Sequence, residues 1–148
     1  MISVQAFAEP RVLAALHDEC FERPWSAKSF GSLLTMPGVT ALVASKDDEP
    51  LGLVLSRQAG EEAEILTIGV LEKARRQGVA RRLLEEVINR SDGLASIFIE
   101  VDVANDHALW FYEDAGFKTT GRRRDYYQLN DGTRSDALIM RLELASSG

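Results

Sequence analysis

The chain has 148 residues, 45% of them hydrophobic, enough for one globular domain over residues 1–148 with a core that needs no staple. A single cysteine, Cys20, excludes an internal disulfide, and no paired Cys/His spacing of the zinc-binding kind occurs, so no metal is expected. The formal net charge of −6 argues against a general nucleic-acid binder and leaves room for a basic substrate.

In chain order, MISVQAFAEP has no basic segment followed by an apolar core, and no apolar run reaches the length that spans a bilayer. The expectation is a cytoplasmic protein without membrane contact. ISVQAF reads as a short strand. EPRVLAALHDEC carries Val12, Leu13 and Leu16 at helical spacing, with Pro10 suited to a first turn. PWSAKSFGSLLTM offers Ser26 as an N-cap and Phe30, Leu33 and Leu34 as a stripe before Pro37. VTALVAS and LGLVLSRQ are β-rich runs joined by the polar KDDEP, as in a hairpin. EAEILTIGV is a third run. From Gly78 a helical face of Val79, Leu83, Leu84, Val87 and Ile88 begins. IFIEVDV is the next strand, then a helix that Asn105 can cap and Gly116 can end. Two strands, about Phe117 to Leu129 and Thr133 to Leu144, meet at NDG. The fold class is α/β, a mixed central sheet of about seven strands flanked by about four helices, in the order β-α-α-β-β-β-α-β-α-β-β.

Two stretches are candidates for chemistry. RRQGVA, residues 75–80, opens a helix, whose unpaired N–H groups and dipole attract anions, and Gly78 permits close approach of a pyrophosphate. The same six residues also fit a plain helix start with a glycine turn. Neither G-x-G-x-x-G nor a Walker pattern occurs, so no Rossmann cofactor or nucleoside triphosphate is indicated. In IFIEVDV, alternation puts Phe98, Glu100 and Asp102 on one face, where lost hydration would suit a carboxylate to accept a proton. A salt bridge or a rim position is the alternative, and it fits Asp102 better than Glu100. Tyr112 faces the core of its helix, as most packing tyrosines do. Cys20 sits in a helical, apolar context with no His nearby in the motif region and is not assigned as a nucleophile, and His17 and His107 read as surface or capping residues.

RRQGVA resembles the acetyl-CoA loop of the GNAT superfamily of N-acetyltransferases, and the element order agrees over nearly the whole chain. ERPWSAKSF, AEILTIGV, RRQGVARRLLEE, IEVDVAND, WFYEDAGF, GRRRDYY and DALIMRLEL are similar to their counterparts in RimI-type enzymes, the N-terminal alanine acetyltransferases of ribosomal proteins. The resemblance implies that Arg75, Arg76, Gln77, Gly78, Val79 and Ala80 cradle the pyrophosphate of acetyl-CoA. It implies that main-chain groups of Ile68, Gly69 and Val70 pair with the pantetheine and hold the thioester where two strands splay apart, and that Asn105 contacts the cofactor. Glu100 matches the family's proton acceptor and Tyr112 its proton donor. Trp25, Asp102, Tyr126 and Tyr127 match positions around the peptide groove. Two positions depart from the pattern: Asp102 stands where Arg is usual after EV, and Ala104 where Ser is usual before Asn. Asp102 reverses the charge beside the base and bears on which first residues are preferred.

The expected activity is therefore transfer of acetyl from acetyl-CoA to the N-terminal α-amine, alanine first, of a basic ribosomal-protein peptide. A small-molecule amine or a protein lysine is the nearest alternative substrate. A non-catalytic CoA-binding regulatory module is the alternative of another class; it could dispense with Glu100 and Tyr112, which are both present.

Overall fold

The computed structural model describes residues 1–91, 93–128 and 131–144. Among them are seven strands and four α-helices in the expected order. They are β1 Ser3–Ala6, α1 Pro10–Cys20, α2 Ala27–Leu34, β2 Val39–Lys46, β3 Glu49–Ala59, β4 Glu62–Val70, α3 Val79–Arg90, β5 Ser96–Asp102, α4 Asp106–Asp114, β6 Lys118–Gln128 and β7 Arg134–Glu143. A 3-10 turn, Glu72–Ala74, precedes α3. The strand order is β1-β2-β3-β4-β5-β7-β6. Leu129 and Asn130, where the sequence places the end of β6 and the start of its turn, lie outside the described residues. No helix of the described residues is long and apolar enough to cross a membrane.

The chain forms two compact units. The first comprises Met1–Ala59 and Ile65–Asp92. Its β3 is buried continuously from Leu51 to Ser56, because α3 and α1 both pack on this strand. In α3 the buried residues are Val79, Leu83, Leu84 and Val87, so one apolar stripe faces β1, β2 and β3. Each fully buried leucine of this set contributes roughly 1.5–3 kcal/mol. The β2–β3 connection is tighter than KDDEP suggests: β3 already starts at Glu49, and Asp47 and Asp48 both take positive φ, 52° and 64°. Aspartate tolerates that left-handed pair, and the mirror-type two-residue turn matches the strand twist. Pro50 then falls where the β2–β3 register shifts, beside Ala44 and Ser45, a position that needs no regular ladder donor.

Helix α1 departs from the expected stripe. Val12 is 40% exposed, and the buried face is Leu13, Leu16 and His17. His17, read from the sequence as a surface or capping residue, is 2% exposed. It completes the i, i+3, i+4 face begun by Leu13.

The second unit comprises Gly60–Glu64 and Gly93–Gly148. Alternation along β5 holds: Ile97, Ile99 and Val101 are buried, while Phe98, Glu100 and Asp102 are half-buried on the other face. β7 pairs antiparallel with both β5 and β6, setting Ile139 opposite Glu100 and Ala137 opposite Asp102. Asn105 caps α4, its Oδ1 accepting from the Ala108 N–H at 3.1 Å. Gly116, at φ 101°, ends the segment before Phe117 turns into the core.

Candidate active site

In the first unit, β4 ends at Val70 and the chain passes through Leu71, whose N–H bonds the Leu51 carbonyl at 2.8 Å, into the 3-10 turn. Two left-handed residues follow, Arg76 at φ 67° and Gly78 at φ 79°. Gly78 is the N-cap of α3, and no side chain caps that end. A Cβ built on Gly78 would meet nothing within 4 Å, so the space over the first turn is open. An exposed, uncapped helix start entered through glycine, with exposed Arg75, Arg76 and Gln77 before it, fits a pyrophosphate on both hydrogen-bonding and dipole grounds. Val79 is buried and anchors the turn. Arg82 belongs to a different set: it pairs with Glu86, which also pairs with Arg90.

Ile68, Gly69 and Val70 form the last residues of β4, directly before this loop. Gly69 is tightly enclosed, since a Cβ there would come 2.6 Å from Cε2 of Phe21 and 3.0 Å from Cβ of Cys20. The end of α1 thus lies against the main chain at this point. Burial, with a lesser push from Glu19, raises the Cys20 thiol to about 11, which makes it a poor nucleophile. Trp25, in the connection between α1 and α2, stacks on the His17 ring at 5.1 Å and meets Phe30 at 5.5 Å. Its other side borders a shallow groove of about 450 Å³ with Lys28, Ser29, Ser32 and Leu33. A larger groove of about 830 Å³ runs between α1 and the start of β3 and carries Asp18, Glu19, Glu72 and the ion pair of Glu49 with Lys73.

In the second unit Glu100 is not a solitary carboxylate. Arg123 Nε lies 3.1 Å from its Oε1, and the Tyr126 hydroxyl is near enough to feel its charge. The Tyr127 hydroxyl donates to the Glu100 main-chain carbonyl at 3.2 Å. Burial and then the Glu100 charge push the Tyr127 phenol up to about 12; the Glu100 charge is the main cause of the rise at exposed Tyr126. The two rings meet edge to face at 5.0 Å, and the Arg123 guanidinium covers that of Tyr126. Glu100, Tyr126 and Tyr127 are therefore brought together, with Arg123 as a fourth member that the sequence reading did not single out from the run Arg122–Arg124.

Asp102 is engaged locally. Its Oδ1 accepts from the Ala104 N–H at 2.9 Å and from the Ser135 hydroxyl, which ties the end of β5 to β7. Tyr112 is 3% exposed, its ring held edge to face by Phe111 and Phe117, and burial keeps its phenol strongly protonated. The cap formed by Asn105 uses only its side-chain oxygen. Among the described residues no group of three or more His, Cys, Asp or Glu could hold a metal ion.

The sequence placed His17 at a surface or capping position and gave Phe21 and Arg123 no individual role. The helical spacing of His17 from Leu13 was the one available signal for it.

The profile of the Acetyltransferase (GNAT) family matches residues 11–117. The chain is 34% identical over 133 residues, 82% of each protein, to the [ribosomal protein bS18]-alanine N-acetyltransferase of Escherichia coli (strain K12). It is 31% identical over 140 residues, 90% of this chain and 86% of the relative, to the N-alpha-acetyltransferase RimI of Mycobacterium tuberculosis. The crystal structure of the ribosomal-protein-S18-alanine N-acetyltransferase from Escherichia coli superposes with a TM-score of 0.90 at 28% identity, covering 100% of this chain and 97% of that one. The chain belongs to the GNAT acetyltransferase family. Within it the protein is of the RimI type, an N-acetyltransferase that uses acetyl-CoA.

Proposed function

We propose that the enzyme transfers acetyl from acetyl-CoA to the N-terminal α-amine of a ribosomal protein, alanine first, in the cytoplasm, with residues 1–148 working as one catalytic domain. The observation that carries this reading is the 34% identity, over most of both chains, to an enzyme named for that reaction. In the larger groove Lys73 pairs with Glu49, and the remaining acidic side chains, Asp18, Glu19 and Glu72, favour a basic peptide.

Arg75 to Ala80 hold the pyrophosphate, main-chain groups of Ile68 to Val70 align the pantetheine and thioester, and Asn105 contacts the cofactor. Trp25, Asp102, Tyr126 and Tyr127 border the peptide. An α-ammonium has a pKa of roughly 7.7–8.0, against about 10.4 for lysine, so one carboxylate suffices to take its proton. Glu100 accepts that proton, directly or through a water. The amine nitrogen bonds to the thioester carbon and main-chain N–H groups stabilise the oxyanion; as the carbonyl re-forms, the C–S bond breaks with its electron pair leaving on sulfur, and the nitrogen releases its second proton to water. Tyr112, whose phenol burial keeps protonated at neutral pH, gives its proton to the thiolate and regains one from water. No covalent enzyme intermediate forms.

The test is acetylation of short peptides that differ at the first two residues, followed by mass spectrometry. Alanine-first peptides should gain one acetyl at the α-amine; acetylation confined to lysine side chains would remove the reading.

A further inference from the structure

A buried imidazole must satisfy both ring nitrogens, and the partners of His17 decide which one carries the proton. The Trp25 main-chain N–H can only donate, and it lies 3.0 Å from Nδ1, so Nδ1 is the acceptor. The proton then resides on Nε2, which donates to Thr67 Oγ1 at 3.0 Å. This one neutral tautomer bridges two parts of the first unit: Trp25, between α1 and α2, and Thr67, the residue before Ile68 in β4. An imidazolium would lose the Trp25 bond, and burial opposes that form, lowering the pKa to about 4. The ring also stacks on Phe21 at 4.2 Å and on Trp25, with the edge of Phe30 closing the site. Phe21 in turn presses on Gly69. His17 touches none of the groups assigned to acetyl transfer, yet it joins a residue assigned to the peptide with the strand assigned to the acetyl donor.

We propose that His17 is a positioning residue for substrate selection: its neutral ring fixes Trp25 and the segment 21–26 against β4, so that this wall of the peptide site keeps one distance from the strand that aligns the thioester. The proposal rests on the peptide reading given above for its functional consequence, and on the ring's own bonds for its geometry.

The test is steady-state kinetics of His17→Ala and His17→Gln on an alanine-first peptide, with nitrogen-15 spectra of the wild-type imidazole. Loss of one buried hydrogen bond should raise the peptide KM about tenfold in His17→Ala. The turnover number and the acetyl-CoA KM should stay within about twofold, as expected when ground-state binding alone is lost. His17→Gln, whose amide can accept from Trp25 and donate to Thr67, should recover most of the loss. An unchanged peptide KM in folded His17→Ala, or an equal rise in both KM values, overturns the proposal. The spectrum should show the neutral Nε2-protonated ring at pH 6; the Nδ1 tautomer or an imidazolium there overturns it. If the wild-type protein acetylates no N-terminal peptide, the functional reading fails separately. Trp25 emission in a Trp110→Phe background then decides: a change on His17→Ala sustains the positioning of Trp25, and an unchanged spectrum refutes it.

Discussion

Arg123 and Glu100 form an ion pair across β6 and β5, 3.1 Å apart, with the carboxylate side chain 15% exposed and the guanidine 55%. The pair joins a half-solvated cation to a more sheltered carboxylate, and water screens most of its energy. Arg123→Gln should therefore change stability by only about 0–1 kcal/mol in urea titrations. Glu100→Gln should lower kcat by about 10²–10⁴-fold if Glu100 takes the proton. Calorimetry should meanwhile find acetyl-CoA affinity nearly unchanged. Full turnover in Glu100→Gln would remove the assigned base.

Tyr112 separates packing from chemistry cleanly, because its ring is held by Phe111 and Phe117 while the proposed reaction uses only its hydroxyl. Tyr112→Phe should keep the fold, with a stability change of no more than about 1 kcal/mol, because the ring and its contacts are retained. It should reduce kcat by about 10²-fold in single-turnover measurements. A loss of stability without a loss of turnover would return Tyr112 to the core.

The contact between Phe21 and Gly69 leaves no room for a methyl group. Gly69→Ala should cost about 1–3 kcal/mol by thermal unfolding, since the new Cβ would lie 2.6 Å from the Phe21 ring and 3.0 Å from Cβ of Cys20. Adding Phe21→Ala should restore part of that stability. Additive losses in the double variant would mean that the two sites do not couple.

His17 makes stability depend on pH in a predictable sense. Its pKa is about 4 in the folded protein and near 6.5 when unfolded, so the unfolded chain binds the proton first as pH falls. The contribution is complete above about pH 6.5 and is lost between that value and about pH 4, for a total near 3 kcal/mol. Urea unfolding of wild type and His17→Gln at pH 7, 5.5 and 4.5 isolates the effect, because carboxylates such as Asp136 act equally in both proteins. The wild-type advantage should shrink steadily with acid; a constant difference would contradict the buried neutral ring.

Element order was legible in the sequence because each segment states its period: alternation in β5, a single apolar face in α3, Ser26 and Asn105 as caps that do cap. The glycine-entered start of α3 was legible for the same local reason. What eluded the sequence depends on partners far apart in the chain. Nothing near His17 announces Thr67, 50 residues away, and nothing in Arg122–Arg124 tells which arginine meets Glu100 and which meets Asp136. Asp102 looked like a second acid beside the base until Ser135, 33 residues on, supplied its donor.

Strand β6 stands last in the sheet order, and nearly all of its side chains are exposed. Such a strand offers unpaired main-chain groups to any other extended chain, including nascent copies of itself. Here the register with β7 shifts twice, Asp125 takes φ 52° with its N–H held by Asp136, and three successive arginines stand along the rim. A newly made strand would meet a crooked border of charged side chains, two of its arginines paired with Glu100 and Asp136, instead of a straight template. Irregular, charged edges of this kind disfavour joining with other chains, so neutralising Arg122 and Arg124 should be felt in yield before it is felt in turnover.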